Sequence, residues 1–112
     1  NVAVGYNALG SDTQGSKSTA IGNNTLGDQN FTTATDSFNT AVGYNAGTRI
    51  TTGIENVLIG GVAGDALTDA DFNIAIGVST LTQDTKGNKT VAIGGGALNA
   101  QNQSTSTLES VE

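Results

Sequence analysis

A 17-residue word recurs along this chain, and few folds are open to a short sequence with that property. The word reads N-x-A-[VI]-G-x-x-[AT]-[LG], followed by a polar stretch. Its glycine falls at Gly5, Gly22, Gly43, Gly60, Gly77 and Gly94, at spacings of 17, 21, 17, 17 and 17 residues. Six units therefore begin near Asn1, Ser18, Asn39, Asn56, Asn73 and Thr90, with four extra residues in the second, within "DQNFTTATDSF". The repeat segment covers residues 1–106, and 107–112 leave the pattern as an exit segment. The polar stretch has its own echo: "SDTQGSKSTAIG" returns as "QDTKGNKTVAIG", with Gly15, Gly53 and Gly87 at equivalent corners. The chain opens directly on a repeat word, and a piece of something longer is expected.

Each unit alternates at a period of two. Val2 and Val4, Thr19 and Ile21, Thr40 and Val42, Val57 and Ile59, Ile74 and Ile76, and Val91 and Ile93 are all β-branched. That is the strand period and the strand preference. Between them stand Ala3, Ala20, Ala41, Leu58, Ala75 and Ala92, on the opposite face of any strand. Strands this short are unstable alone. Stacked at about 4.8 Å per coil, they pair with the coils above and below. The expected fold is all-β, a parallel β-solenoid (β-roll) of six 17-residue coils spanning roughly 29 Å. Asn heads four of the units, and stacked Asn side chains can hydrogen-bond along a ladder. Val, Ile, Thr, Asn and Gly dominate the repeated core, which disfavours a helical repeat.

Two punctuated corners per unit leave two short strands per coil, and a coil this thin is short of core. The β-branched pair, joined by Leu9, Leu26, Leu81 or Leu98, is expected to fill the interior. At about 1.5–3 kcal/mol per fully buried aliphatic side chain, that hardly offsets about 1–2 kcal/mol of backbone entropy per residue. Close lateral packing of several chains through the small alanine face would remedy this. The expectation is an obligate homo-oligomer whose folding and assembly are inseparable.

These words resemble the head repeats of YadA-like trimeric autotransporter adhesins. They are still more similar to the "NTAVGYNAL" arrays of phage tail-fibre proteins, seen here as "NTAVGYNAG" from Asn39. The adhesin repeat is usually shorter and carries Ser where this chain has Ala8, Ala46, Ala63 and Ala97. The resemblance implies a left-handed roll in a homotrimeric fibre outside the cell, on a cell surface or a virion tail. It implies a structural shaft or head segment that mediates attachment, with a cell-surface glycan or a protein as receptor.

Composition narrows the chemistry. The 112 residues include no Cys, His, Met, Trp or Pro. Thiol nucleophiles and thiolate metal sites are thus excluded, as is the usual general base near neutral pH. The net charge is −6, with Lys17, Arg49, Lys86 and Lys89 as the only basic side chains. Phosphate backbones would be repelled, so no nucleic-acid partner is expected. No apolar run approaches the roughly 20 residues that span a bilayer, so no membrane insertion of this segment is expected.

No catalytic, cofactor or metal site is expected. Asp65, Asp69 and Asp71 cluster in "GDALTDADF", but the remaining ligands of a calcium loop are missing. Asp12 and Asp84 stand at equivalent corners and suit turn capping. "GGVAG" lacks the Lys and Ser/Thr of a phosphate loop. Nothing selects a pair of carboxylates for glycoside hydrolysis. Among the aromatics, Tyr6, Tyr44 and Phe31 are expected as surface contacts, and Phe38 and Phe72 as packing at a corner or between chains. Thr13, Thr51, Thr68 and Thr85 form a partial ladder, which keeps a flat solenoid face for glycan or ice as the rival reading. A fibre-borne carbohydrate-degrading enzyme comes third.

Overall fold

The computed structural model describes residues 1–103; the exit segment expected over 107–112 lies outside them. The described chain is an all-β parallel solenoid. In chain order the strands are β1 (Val2–Val4), β2 (Gly15–Ser16), β3 (Thr19–Ile21), β4 (Thr35–Asp36), β5 (Thr40–Val42), β6 (Val57–Ile59), β7 (Ile74–Ile76) and β8 (Val91–Ile93). Six of them form one sheet in the order β1-β3-β5-β6-β7-β8, every neighbour parallel. Register follows the repeat: Ala3 pairs with Ala20, Ala20 with Ala41, Ala41 with Leu58, Leu58 with Ala75 and Ala75 with Ala92. β3 pairs with β5 across the insertion without a slip, so the extra residues are absorbed outside the sheet. Thr32, Thr33 and Ala34 are exposed there, as an outward loop requires.

The rest of each coil is not the second strand that its punctuation suggested. Apart from the short β2–β4 pair, it is an arc of turns. Ala8 N–H donates to Gly5 O, Gly10 N–H to Asn7 O and Asp12 N–H to Leu9 O. The arc still stacks coil on coil: Leu9 N–H donates to Thr25 O, Leu26 N–H to Ala46 O and Gly47 N–H to Ala63 O, each at 3.0–3.1 Å. Left-handed residues make the arc, with Asn7, Asn24 and Asn45 at φ 54–55° and Leu9, Leu26 and Leu81 at 50–55°. The corner after each strand belongs to glycine for two reasons. Gly43 has φ +136°, and a Cβ there would lie 2.6 Å from the carbonyl oxygen of Gly60 in the next coil.

Which face turns inward reverses the expectation. Ala20, Ala41, Leu58, Ala75 and Ala92 are fully buried inside the coil, together with Leu26, Ala46, Ile50, Ala63, Leu67 and Leu81. The β-branched residues point out: Val2, Val4, Ile21, Ile59 and Ile93 are exposed, and Val42, Val57, Ile74, Ile76 and Val91 are half-buried. The cause is steric. The arc sends its leucines across the coil to the sheet, and opposite them only a methyl fits. The alanine face is therefore the inner wall of the coil and not a surface where chains approach.

Asparagine completes the interior. Asn39, Asn56 and Asn73 are fully buried. Each Oδ1 accepts the backbone N–H seventeen residues on: Asn56 to Asn39 at 2.9 Å, Asn73 to Asn56 at 3.0 Å and Thr90 to Asn73 at 2.9 Å. Each Nδ2 donates across its own coil at 2.8 Å, to the carbonyls of Gly53, Ala70 and Gly87. One amide thus joins coil to coil and strand to arc. In the second unit Ser18 stands in place of Asn, and the buried Gln29 supplies the missing links. Its Nε2 donates to Asp12 and Ser18, and its Oε1 accepts from Asn39.

Candidate interaction face

The outward positions fall into four ladders that run along the stack. The two central ladders are the first and last residues of each strand, from Val2 and Val4 to Val91 and Ile93. The residues two places after the strands form one rim: Tyr6, Asn23, Tyr44, Gly61, Val78 and Gly95. The residues two places before the strands form the other: Lys17, Phe38, Glu55, Phe72 and Lys89. All five of the latter have left-handed φ, between 50° and 63°, which turns the chain into the strand and leaves their side chains outside it. Tyr6 is 79% exposed, Val78 63%, Tyr44 60%, Phe38 49% and Phe72 45%. Scattered apolar residues are ordinary on a surface. Here they lie side by side on one uncharged sheet face, interrupted only by Thr19 and Thr40, which makes this face the candidate for interaction.

Charge is confined to the margins of this face. Lys17 Nζ lies 2.6 Å from Asp36 Oδ2 and 5.1 Å from the centre of the Phe38 ring. The Lys17 ammonium, hydrogen-bonded to Asp36, holds that carboxyl below its ordinary value, with Ser16 assisting. The two central ladders contain no ionisable side chain, so water is the only partner available to this sheet face in a lone chain.

The other sequence candidates resolve one by one. Tyr6 and Tyr44 are outward, as expected. Phe31 is not: it is buried at 6% exposure, while Thr32 and Thr33 after it are exposed. Asp12 and Asp84 cap turns. Asp12 Oδ1 accepts Gly15 N–H at 2.8 Å, and the fully buried Asp84 accepts the N–H groups of Gly87 and Gln103 at 3.0 Å. The clustered aspartates go separate ways: Asp71 accepts Ile54 N–H at 2.9 Å, and Asp69 pairs with Lys86 at 3.7 Å. Asp65 is half-buried, and desolvation raises its pKa against a backbone hydrogen bond and Arg49. No group of three or more acids is placed to hold a metal among the described residues, and no pocket opens among them.

The threonine ladder is spent within the stack. Thr51 Oγ1 donates to Thr68 O at 3.3 Å, and Thr68 Oγ1 to Thr85 O at 3.0 Å. Those hydroxyls satisfy carbonyls of the next coil and do not form a free donor array. Sequence reasoning found the alternation but missed the face; the charged and aromatic residues just before each strand were the signal that could have marked it. Comparison with family models, characterised proteins and solved structures finds no match for this chain.

Proposed function

We propose that this chain is a shaft or head segment of an extracellular trimeric fibre, an adhesin or a phage tail fibre. Three copies turn their β-branched faces toward a common axis parallel to the stack. The observation that carries this is the uncharged, mostly aliphatic sheet face, exposed or half-exposed in the single chain while alanine and leucine seal the coil interior. A sheet face without charge gains about 25 cal/mol for each Å² of apolar surface removed from water. A partner that repeats every coil is the only kind that covers every coil equally, and another copy of the chain meets that demand. The three-fold order and the extracellular setting come from the resemblance of the "NTAVGYNAG" words to adhesin and tail-fibre repeats.

The role is mechanical and multivalent rather than catalytic. A ladder of backbone hydrogen bonds and buried amides holds distance along the axis. Three-fold repetition raises avidity wherever single contacts with a glycan or protein receptor are weak. Light scattering on Ile59→Glu and the wild type tests the assembly. Ile59→Glu is expected to lose the higher mass, whereas Asp28→Asn, exposed and away from the face, keeps it. A fully assembled Ile59→Glu would contradict the proposal.

A further inference from the structure

The two rims of the apolar face are matched coil by coil. In the third coil the rim residues are Phe38 before the strand and Tyr44 after it. In the fifth they are Phe72 and Val78. Where the first rim is charged, the second is small or an amide: Lys17 with Asn23, Glu55 with Gly61 and Lys89 with Gly95. Large apolar goes with large apolar, and charge goes with a residue that leaves room for water. Within one chain the members of each pair lie beyond opposite ends of a strand, so contact between them does not explain the matching.

We infer that the rims specify a parallel, in-register assembly, in which the leading rim of one chain packs on the trailing rim of the next. The partner is a second copy of this chain, and the inference rests on the trimeric reading above. Under rotation about an axis parallel to the stack, the leading rim of each copy meets the trailing rim of its neighbour at the same coil. Phe38 of one copy then covers Tyr44 of the next, and Phe72 covers Val78.

Slipped arrangements break the matching. A slip of one coil sets Phe38 against Gly61 and Phe72 against Gly95, while Glu55 meets Val78 and Lys17 meets Tyr44. The opposite slip sets Glu55 against Tyr44, Lys89 against Val78 and Phe72 against Gly61. Reversing the stack by a two-fold axis along the strands brings leading rim to leading rim; Phe38 then still meets Phe72, but Lys17 lies near Lys89 and Glu55 against its own copy. Like charges then meet at the rim, which selects against that partner. A slip of two coils restores Phe38 opposite Val78, but it leaves two coils of each face uncovered. In-register packing alone satisfies every rim and covers the whole face.

The absence of native cysteine makes crosslinking a direct test. A disulfide needs Cα atoms within about 7 Å, and a slip of two coils moves them by about 10 Å. On oxidation, Phe72→Cys/Val78→Cys is expected to link chains covalently. Phe38→Cys/Val78→Cys, which reports a two-coil slip, and Phe38→Cys/Phe72→Cys, which reports the reversed stack, are not. Equal linking in either of the last two would overturn the register. A wild type with trimer mass whose Phe72→Cys/Val78→Cys form stays unlinked would overturn this inference and leave the trimer standing; a monomeric wild type would overturn both. Gly61 supplies a second readout, because a side chain there meets nothing within 4 Å in its own chain. Gly61→Lys, opposite Glu55 of the neighbour, should tighten assembly about two- to fivefold, and Gly61→Glu should weaken it about as much. Equal effects of the two would contradict the pairing.

Discussion

Leu58 occupies the space that Gly47 leaves empty. A Cβ on Gly47 would lie 2.6 Å from Leu58 Cδ1, and one on Gly64 would lie 2.8 Å from Leu58 Cδ2. Leu58 is the one large residue in the inner alanine ladder, and both flanking arc positions are glycine where other coils carry Leu9, Leu26, Leu81 and Leu98. Leu58, together with Ile50 and Leu67 where other coils carry Asp12, Gln29, Asp84 and Gln101, takes up the room that the two missing leucines leave. Such close packing penalises both gaps and excess.

Leu58→Ala should therefore cost about 2–5 kcal/mol as a cavity. Gly64→Leu should cost about 1–3 kcal/mol or more by overpacking and left-handed backbone strain. Together they restore the Ala75 and Leu81 pair of the next coil, beside Leu67 where that coil has Asp84; removing Leu58 frees space next to Gly64, so the double variant should be more stable than the sum of the singles implies. Urea denaturation of the three variants checks this, and additive losses would refute volume exchange.

The Asn ladder predicts a position-dependent loss. Asn56→Ala removes a buried amide that serves the backbone of Ala70 and Asn73. Leaving such groups unpaired costs about 1–3 kcal/mol each. Asn1→Ala, at an exposed position, should cost less than about 1 kcal/mol. Comparable shifts in their melting midpoints would show that the ladder does not hold the coils together.

Val62 sits at φ +55°, where a β-branched residue is strained, and Asn7, Asn24 and Asn45 hold the same place in other coils. Val62→Asn is expected to stabilise the chain by about 1 kcal/mol. A lowered denaturation midpoint for that variant would contradict this account of the arc.

Acid should act oppositely at two carboxyls. Asp36 has a lowered pKa through Lys17, so its stabilising effect is present above the ordinary carboxylate value of 3.8 and lost as pH falls through the lower folded value. Asp65 has a raised pKa through burial. Its folded form favours the proton, so its penalty develops as pH rises above 3.8 and is complete above the folded value. Asp65→Asn should accordingly stabilise at pH 7 and lose that advantage near pH 3. Melting curves at both pH values decide; a pH-independent effect would sink the burial explanation.

Period, strand positions and register were legible because they depend only on spacing and on β-branched alternation. Val57 and Ile59 on one face and Leu58 on the other can be read from period two. Which face is inside cannot, because it depends on what comes back across the coil. The arc was misread as a strand, since nothing local in "YNALGSD" announces a left-handed Leu9. With the arc's leucines inside, alanine is the residue that fits beneath them, and the valines and isoleucines are left outside. Phe31 was misplaced for a related reason. A ring in a polar stretch reads as exposed, because its neighbours in sequence, Thr32 and Thr33, are.

The mass of the wild-type assembly by native mass spectrometry tests the central claim most directly. Three copies of an 11.2 kDa chain give 3 × 11.2 = 33.6 kDa. The proposal predicts that mass down to low concentration, with the sheet-face variant Ile59→Glu failing to reach it. A folded wild-type monomer of 11.2 kDa, with its β-branched face left in water, would contradict it.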